Sequence, residues 1–186
     1  MRIHIVVLML AILFTAAGQS FAGPANLLQN PGFETGSLAP WFAEAGTPMV
    51  TSPQGIHSGS YGLTAPFGAT IRQNFAATPV SEITHVSFYI DNALPEPAQV
   101  WLTYYYDDGT SFEFFLSADS GDFKFARVDA YLEPGKNLNG FSSRTGSALG
   151  NVYLDDFLII APEPTSILLA LIAGCFVFRR PPRRAA

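Results

Sequence analysis

Aromatic rings set among charged and polar neighbours are the residues of this sequence best placed to do chemistry. Gln99 to Tyr106 reads QVWLTYYY and Thr84 to Ile90 reads THVSFYI. Laid out as extended strands, Val100, Leu102, Tyr104 and Tyr106 share one face and Trp101, Thr103 and Tyr105 the other. The face turned from the core then carries Tyr89, Trp101, Tyr105 and Phe115, with His85, Thr103, Glu113, Arg127 and Asp129 among or near them. A flat ring beside hydrogen-bonding groups suits a sugar, whose C–H face stacks while its hydroxyls find polar partners. Trp101, Tyr105, Tyr89 and Arg127 are therefore the candidate glycan contacts, weighed against burial of these rings under loops or a second layer. Trp41 is expected to anchor the first loop in the core.

Catalytic constellations do not assemble from the same residues. Glycoside hydrolysis needs two carboxylates about 5 to 9.5 Å apart; Glu113 and Asp129 are one pair among many. Asp107-Asp108-Gly109 reads as turn chemistry, and no nucleophile elbow or local Ser/His/Asp arrangement is present. Three histidines and one cysteine in 186 residues leave no cysteine-based zinc site and no disulfide framework. The expectation is a protein that is not an enzyme.

The elements that must position these rings are strands. Tyr61–Ala65, Thr70–Ala76, Thr84–Ile90, Gln99–Tyr106, Ser111–Leu116, Phe123–Leu132, Leu138–Ser143 and Asn151–Ile160 alternate or run apolar, with Pro and Gly between them. No stretch between the ends shows a capped helical period. About nine strands with turns every 8 to 12 residues predict an all-β, antiparallel sandwich.

Both ends of the chain differ from this middle. Ile3 to Ala17 is apolar at thirteen of fifteen positions, Arg2 precedes it, and Ser20 and Ala22 follow as small residues. That order is a secretory signal peptide, residues 1–22, cut after Ala22 by signal peptidase. Near the other end, Ile167 to Phe178 is apolar apart from Gly174, and Arg179, Arg180, Arg183 and Arg184 come next. Twelve residues make a short membrane span, and the arginines hold its end in the cytoplasm. The sandwich is thus expected between a signal helix and a short transmembrane helix. Residues 23–161 hold fourteen acids and five bases, a net charge of −9 within the −5 of the whole chain. Such acidity excludes nucleic acid as a partner.

Two resemblances follow from quoted residues. Pro162-Glu163-Pro164, Thr165-Ser166, the short apolar run and the arginine cluster make residues 162–186 resemble the PEP-CTERM sorting signal of Gram-negative bacteria. That resemblance implies an exosortase-type processing enzyme, transient anchoring in the inner membrane, and passage to the cell surface or extracellular matrix. Asn26 to Gly36 (NLLQNPGFETG) with Trp41, His57-Ser58-Gly59-Ser60-Tyr61, Ile71-Arg72-Gln73-Asn74-Phe75 and Val152 to Phe157 (VYLDDF) make residues 23–161 resemble the carbohydrate-binding-module-like jelly rolls.

The jelly-roll resemblance implies a structural calcium joining Glu34 to Asp155, with Asp156 as a further ligand. The metal-free alternative has Glu34 and Asp155 accepting backbone N–H groups at a sheet corner. Function, on this reading, is that of an exported, non-enzymatic surface or matrix protein whose sandwich contacts polysaccharide. The competitors are a structural matrix component without a defined sugar ligand and a glycan-processing enzyme.

Overall fold

A computed structural model describes residues 25–119, 121–146 and 150–161. The signal segment, its cleavage position at Ala22, the Pro162-Glu163-Pro164 motif, the apolar run and the arginine cluster all lie outside the described residues. Among the described residues no helix is long and apolar enough to cross a membrane.

Residues 26–161 form one unit, an antiparallel two-sheet sandwich of eleven strands rather than nine. In chain order these are β1 (Ala25–Asn26), β2 (Phe42–Ala45), β3 (Met49–Thr51), β4 (Gly62–Ala65), β5 (Thr70–Pro79), β6 (His85–Asn92), β7 (Ala98–Tyr106), β8 (Ser111–Ala118), β9 (Lys124–Arg127), β10 (Asn137–Thr145) and β11 (Val152–Ala161). The strands not foreseen are the short β1 to β3, two to four residues each. Segments so short carry no readable alternation. The run predicted over Phe123–Leu132 is only half strand, because a 3-10 turn at Asp129–Tyr131 ends it.

One sheet orders its strands β3-β4-β11-β6-β9, with β1 added to β11; the other runs β2-β5-β10-β7-β8. In β7 the alternation is complete, with Ala98, Val100, Leu102, Tyr104 and Tyr106 buried and the residues between them half-buried. Phe33, Leu63, Ile71, Phe88, Ile90, Leu102, Tyr104, Leu138, Phe141, Leu154, Phe157 and Ile159 join from both sheets into one core. Trp41 belongs to it as expected: it is 3% exposed, packs on Phe33, Phe141 and Phe157, and donates Nε1–H to the Asn30 carbonyl at 3.2 Å. Tyr104 is fully buried, and its hydroxyl donates to the Val128 carbonyl at 2.7 Å. Burial holds that phenol protonated, far above the ordinary tyrosine range.

Strand β11 contains the irregularity that matters most for the candidate sites. Its pairing with β6 slips between Asp155 and Leu158, and Asp156 has φ of 51°. A bulge of this kind inserts a residue and resets the in-out parity of the strand. Leu154 is inward before it, Phe157 and Ile159 inward after it, and Asp155 is fully buried between them. The Phe157 N–H leaves the ladder and donates to the Pro31 carbonyl at 3.1 Å.

Candidate carbohydrate-binding face and carboxylate corner

The four candidate glycan residues do not share a face. Trp101 and Tyr105 stand on β7 in the five-stranded sheet, whereas Tyr89 on β6 and Arg127 on β9 belong to the other sheet. Both pairs point outward, so the core separates them. One outer face was expected because each strand alternates; the alternation does not say which sheet a strand joins. Glu113 and Asp129 are parted in the same way. Glu113 pairs with Arg144 at 3.3 Å, and Asp129 pairs with Arg127 at 2.6 Å, which holds the Asp129 carboxyl below its usual range. The pair offered for glycoside hydrolysis is not assembled.

Register builds the outer face of the five-stranded sheet row by row. Thr70, Arg144, Trp101 and Phe115 are successive partners across β5, β10, β7 and β8. Phe42, Arg72, Ser142, Thr103 and Glu113 form the next row. Asn74, Gly140, Tyr105 and Ser111 form the third. Within this grid each of two rings carries a guanidinium: Arg72 lies 3.6 Å from the Tyr105 ring centroid and Arg144 lies 4.6 Å from that of Trp101. Each arginine is in turn held by an acceptor, Arg72 by Glu44 at 3.1 Å and Asn74 at 2.8 Å, Arg144 by Glu113. Trp101 is tilted against Phe115 at 5.1 Å, and a Cβ on Gly146 would collide with its ring. Phe42 and Phe115 remain 42% and 47% exposed. The Tyr105 hydroxyl and the Ser142 hydroxyl are 3.2 Å apart. Guanidinium over aromatic is worth about 0.5 to 1 kcal/mol at an exposed site, a bias of roughly two- to five-fold toward the stacked arrangement. Arg72, Arg144, Glu44 and Asn74 were not anticipated, since their meeting with Trp101 and Tyr105 depends on the β5-β10-β7 order.

Glu34, Asp155 and Asp156 do converge. A Cβ built on Gly32 would stand 3.1 Å from Asp156 Oδ1 and 3.4 Å from Asp155 Oδ1. What they receive there is the turn at residues 57–61. Asp155 Oδ2 accepts the His57 and Ser58 N–H groups at 2.9 and 3.2 Å, and Oδ1 accepts the Asp156 N–H at 2.8 Å. Asp156 takes the Ser58 hydroxyl at 2.9 Å and His57 Nδ1 at 2.7 Å. Glu34 accepts the Ser60 and Tyr61 N–H groups at 3.0 and 3.1 Å. Gly59, at φ of 74°, is required because a side chain would run into the Glu34 carboxylate. Burial pushes the Asp155 carboxyl up to about 6, against the pull of the His57 and Ser58 N–H groups.

Calcium asks for six to eight oxygens facing one ion. Here the carboxylate oxygens already face N–H and O–H donors, and among the described residues no group of three or more His, Cys, Asp or Glu is arranged to hold a metal ion. The arrangement fits a latch that ties the first loop, the 57–61 turn and the last strand together. Tyr89 works on this side of the molecule: its ring stacks on His57 at 3.4 Å and leans on Phe125 at 5.3 Å.

No family model and no curated protein matches the chain. Solved structures do. The module TmCBM61, determined with β-1,4-galactotriose, is 21% identical with a TM-score of 0.54, over 74% of this chain and 99% of that one. The CBM22-1 xylan-binding domain of Paenibacillus barcinonensis Xyn10C is 19% identical with a TM-score of 0.57, over 77% and 99%. The enzymatically active domain of tailspike protein 4 from bacteriophage CBA120 is 14% identical with a TM-score of 0.56, over 72% of this chain and 21% of that one. At such identities the likeness is one of fold, and the fold is the jelly roll of carbohydrate-binding modules.

Proposed function

We propose that this chain is an exported, non-catalytic protein that binds polysaccharide on the outer face of its five-stranded sheet. The observation that carries the proposal is the arginine-aromatic-carboxylate grid around Trp101, Tyr105 and Phe115. It offers exposed ring area for the C–H faces of sugars, and fixed donors and acceptors for their hydroxyls, in one surface. The fold shared with carbohydrate-binding modules supports this reading, although fold alone does not set function. Affinity electrophoresis or calorimetry against a panel of plant, bacterial and algal polysaccharides tests it. Retardation by at least one polymer, lost on Phe115→Ala and on Trp101→Ala, supports binding at this face. Silence across the panel favours the structural matrix component.

The ends of the chain supply the rest of the proposal. Signal peptidase cuts after Ala22, and an exosortase-type enzyme recognises Pro162-Glu163-Pro164 ahead of the apolar run and Arg179-Arg180. The protein passes through the inner membrane of a Gram-negative cell to its surface or matrix. Mass spectrometry of the surface-extracted protein decides this: termini at Gly23 and near Pro164 support it, and an intact Arg184-Ala185-Ala186 end refutes the processing step. Calcium at Glu34, Asp155 and Asp156 is the competing proposal for the carboxylate corner; the donors already seated on those oxygens favour the metal-free latch.

A further inference from the structure

Strand β8 is an unprotected sheet edge. The other end strands of the two sheet paths are short: β3 has three residues, β9 four including Lys124 and Arg127, and β2 four with a register slip. By contrast, β8 runs eight residues, SFEFFLSA, in unbroken register with β7. It carries a single charge, no lysine and no proline, the devices by which edges are normally blunted. The Tyr106 N–H donates to the Thr110 carbonyl at 3.0 Å, so alternation along the antiparallel ladder aims the N–H and C=O groups of Ser111, Glu113, Phe115 and Ser117 away from β7. Among the described residues no strand pairs with them. A cleft of about 390 Å³ opens at the same side of the sandwich, lined by Leu116 and Ala118 of β8 and by Ile90, Phe125 and Ala126 of the facing sheet.

We propose that a second copy of this chain covers the edge, β8 against β8, antiparallel about a two-fold axis through Phe114. The sequence itself selects this occupant. Ser111-Phe112-Glu113-Phe114-Phe115-Leu116-Ser117 has nearly the same pattern in both directions. The two-fold sets Ser111 opposite Ser117, Phe112 opposite Leu116, Phe114 opposite itself, and Glu113 opposite Phe115. The bonded pairs become those whose groups already point outward, giving about eight new backbone hydrogen bonds. A two-fold through Glu113 would oppose like charges and is disfavoured. Two five-stranded sheets then continue as one, and the Trp101 and Phe115 rows of both copies lie on a single surface. This inference does not depend on the sugar reading.

Disulfide mapping on the full chain in mild detergent tests it, with Cys175→Ser as background. Paired residues in the bonded register sit about 5.5 Å apart, within disulfide reach. A mixture of Ser111→Cys and Ser117→Cys chains should give a covalent dimer on mild oxidation, and neither variant alone should. Phe115→Pro removes an outward N–H while sparing the bonds to β7, and in the mixed Ser111→Cys and Ser117→Cys background it should abolish the cross-link with the circular dichroism spectrum unchanged. Cross-linking of neither mixture nor single variants, or cross-linking that survives Phe115→Pro, overturns the proposal.

Discussion

The two outer faces of the sandwich use the same kinds of residue for opposite ends. On the six-stranded side, His57, Tyr89, Asp155, Asp156 and Glu34 are spent on one another and on the 57–61 turn. On the five-stranded side, Trp101, Tyr105, Arg72, Arg144, Glu44 and Glu113 also pair among themselves, beside the exposed rings of Phe42 and Phe115. The difference rests on one group: Asp155 is fully buried, whereas the His57–Asp156 pair is about as open as the Arg72–Glu44 pair. A carboxylate removed from water must be matched by donors, and once matched it serves structure. Exposed pairs contribute little to stability and can exchange partners with a ligand.

Substitutions should therefore separate along this line. Asp155→Ala removes the acceptor of three N–H groups and is expected to cost about 2 to 4 kcal/mol, read as a loss of melting temperature, while glycan affinity per folded molecule is unchanged. A glycan defect at full stability would merge the two faces and break the distinction. EDTA should leave the melting temperature of the wild type unmoved; a drop that Glu34→Ala abolishes would install calcium at the corner instead.

Stability against pH sharpens the same contrast. Asp155 keeps its proton in the folded state up to about pH 6, whereas the unfolded chain loses it near 4. The folded form then binds more protons between these values, so stability falls as pH rises from about 4 to about 6 and levels above. With EDTA present, this component should reach at most about 3 kcal/mol and vanish from Asp155→Asn. If the three N–H donors instead kept the carboxylate ionised, the slope would have the opposite sign.

Smaller effects belong to the open face. Phe115→Ala should weaken polysaccharide binding about ten-fold, or about 1.4 kcal/mol, with little change in melting. Glu113→Gln frees Arg144 from its exposed partner, costing below about 1 kcal/mol of stability and changing affinity by no more than about three-fold in calorimetry.

Local patterning made much of the sandwich readable. Val100, Leu102, Tyr104 and Tyr106 announce their inward face by alternation alone, and Trp41 announces itself as core by standing in a loop among glycines and prolines. Sheet membership is a long-range property, and no residue reports it. Tyr89 and Trp101 look alike in sequence, yet one stacks on His57 beside the corner and the other carries Arg144. Arg72 and Arg144 were invisible as site residues for the same reason, being 33 and 43 positions from the rings they cover. At the corner, Glu34, Asp155 and Asp156 were anticipated through motif resemblance; the β11 bulge that aims them had no signature beyond two adjacent aspartates.

The last strand among the described residues is a central strand in space. Strand β11 lies between β4 and β6, and its aspartates bond residues 97 to 99 positions earlier. A chain emerging from its N-terminus therefore cannot finish the six-stranded sheet until residue 161 has arrived. Until then, β4 and β6 have an empty lane between them, and the His57 and Ser58 N–H groups lack their Asp155 acceptor. Completion of the domain coincides with delivery of its final strand, so a molecule cut short before residue 152 remains open and exposed to proteases. Limited proteolysis of stepwise C-terminal truncations would locate that threshold.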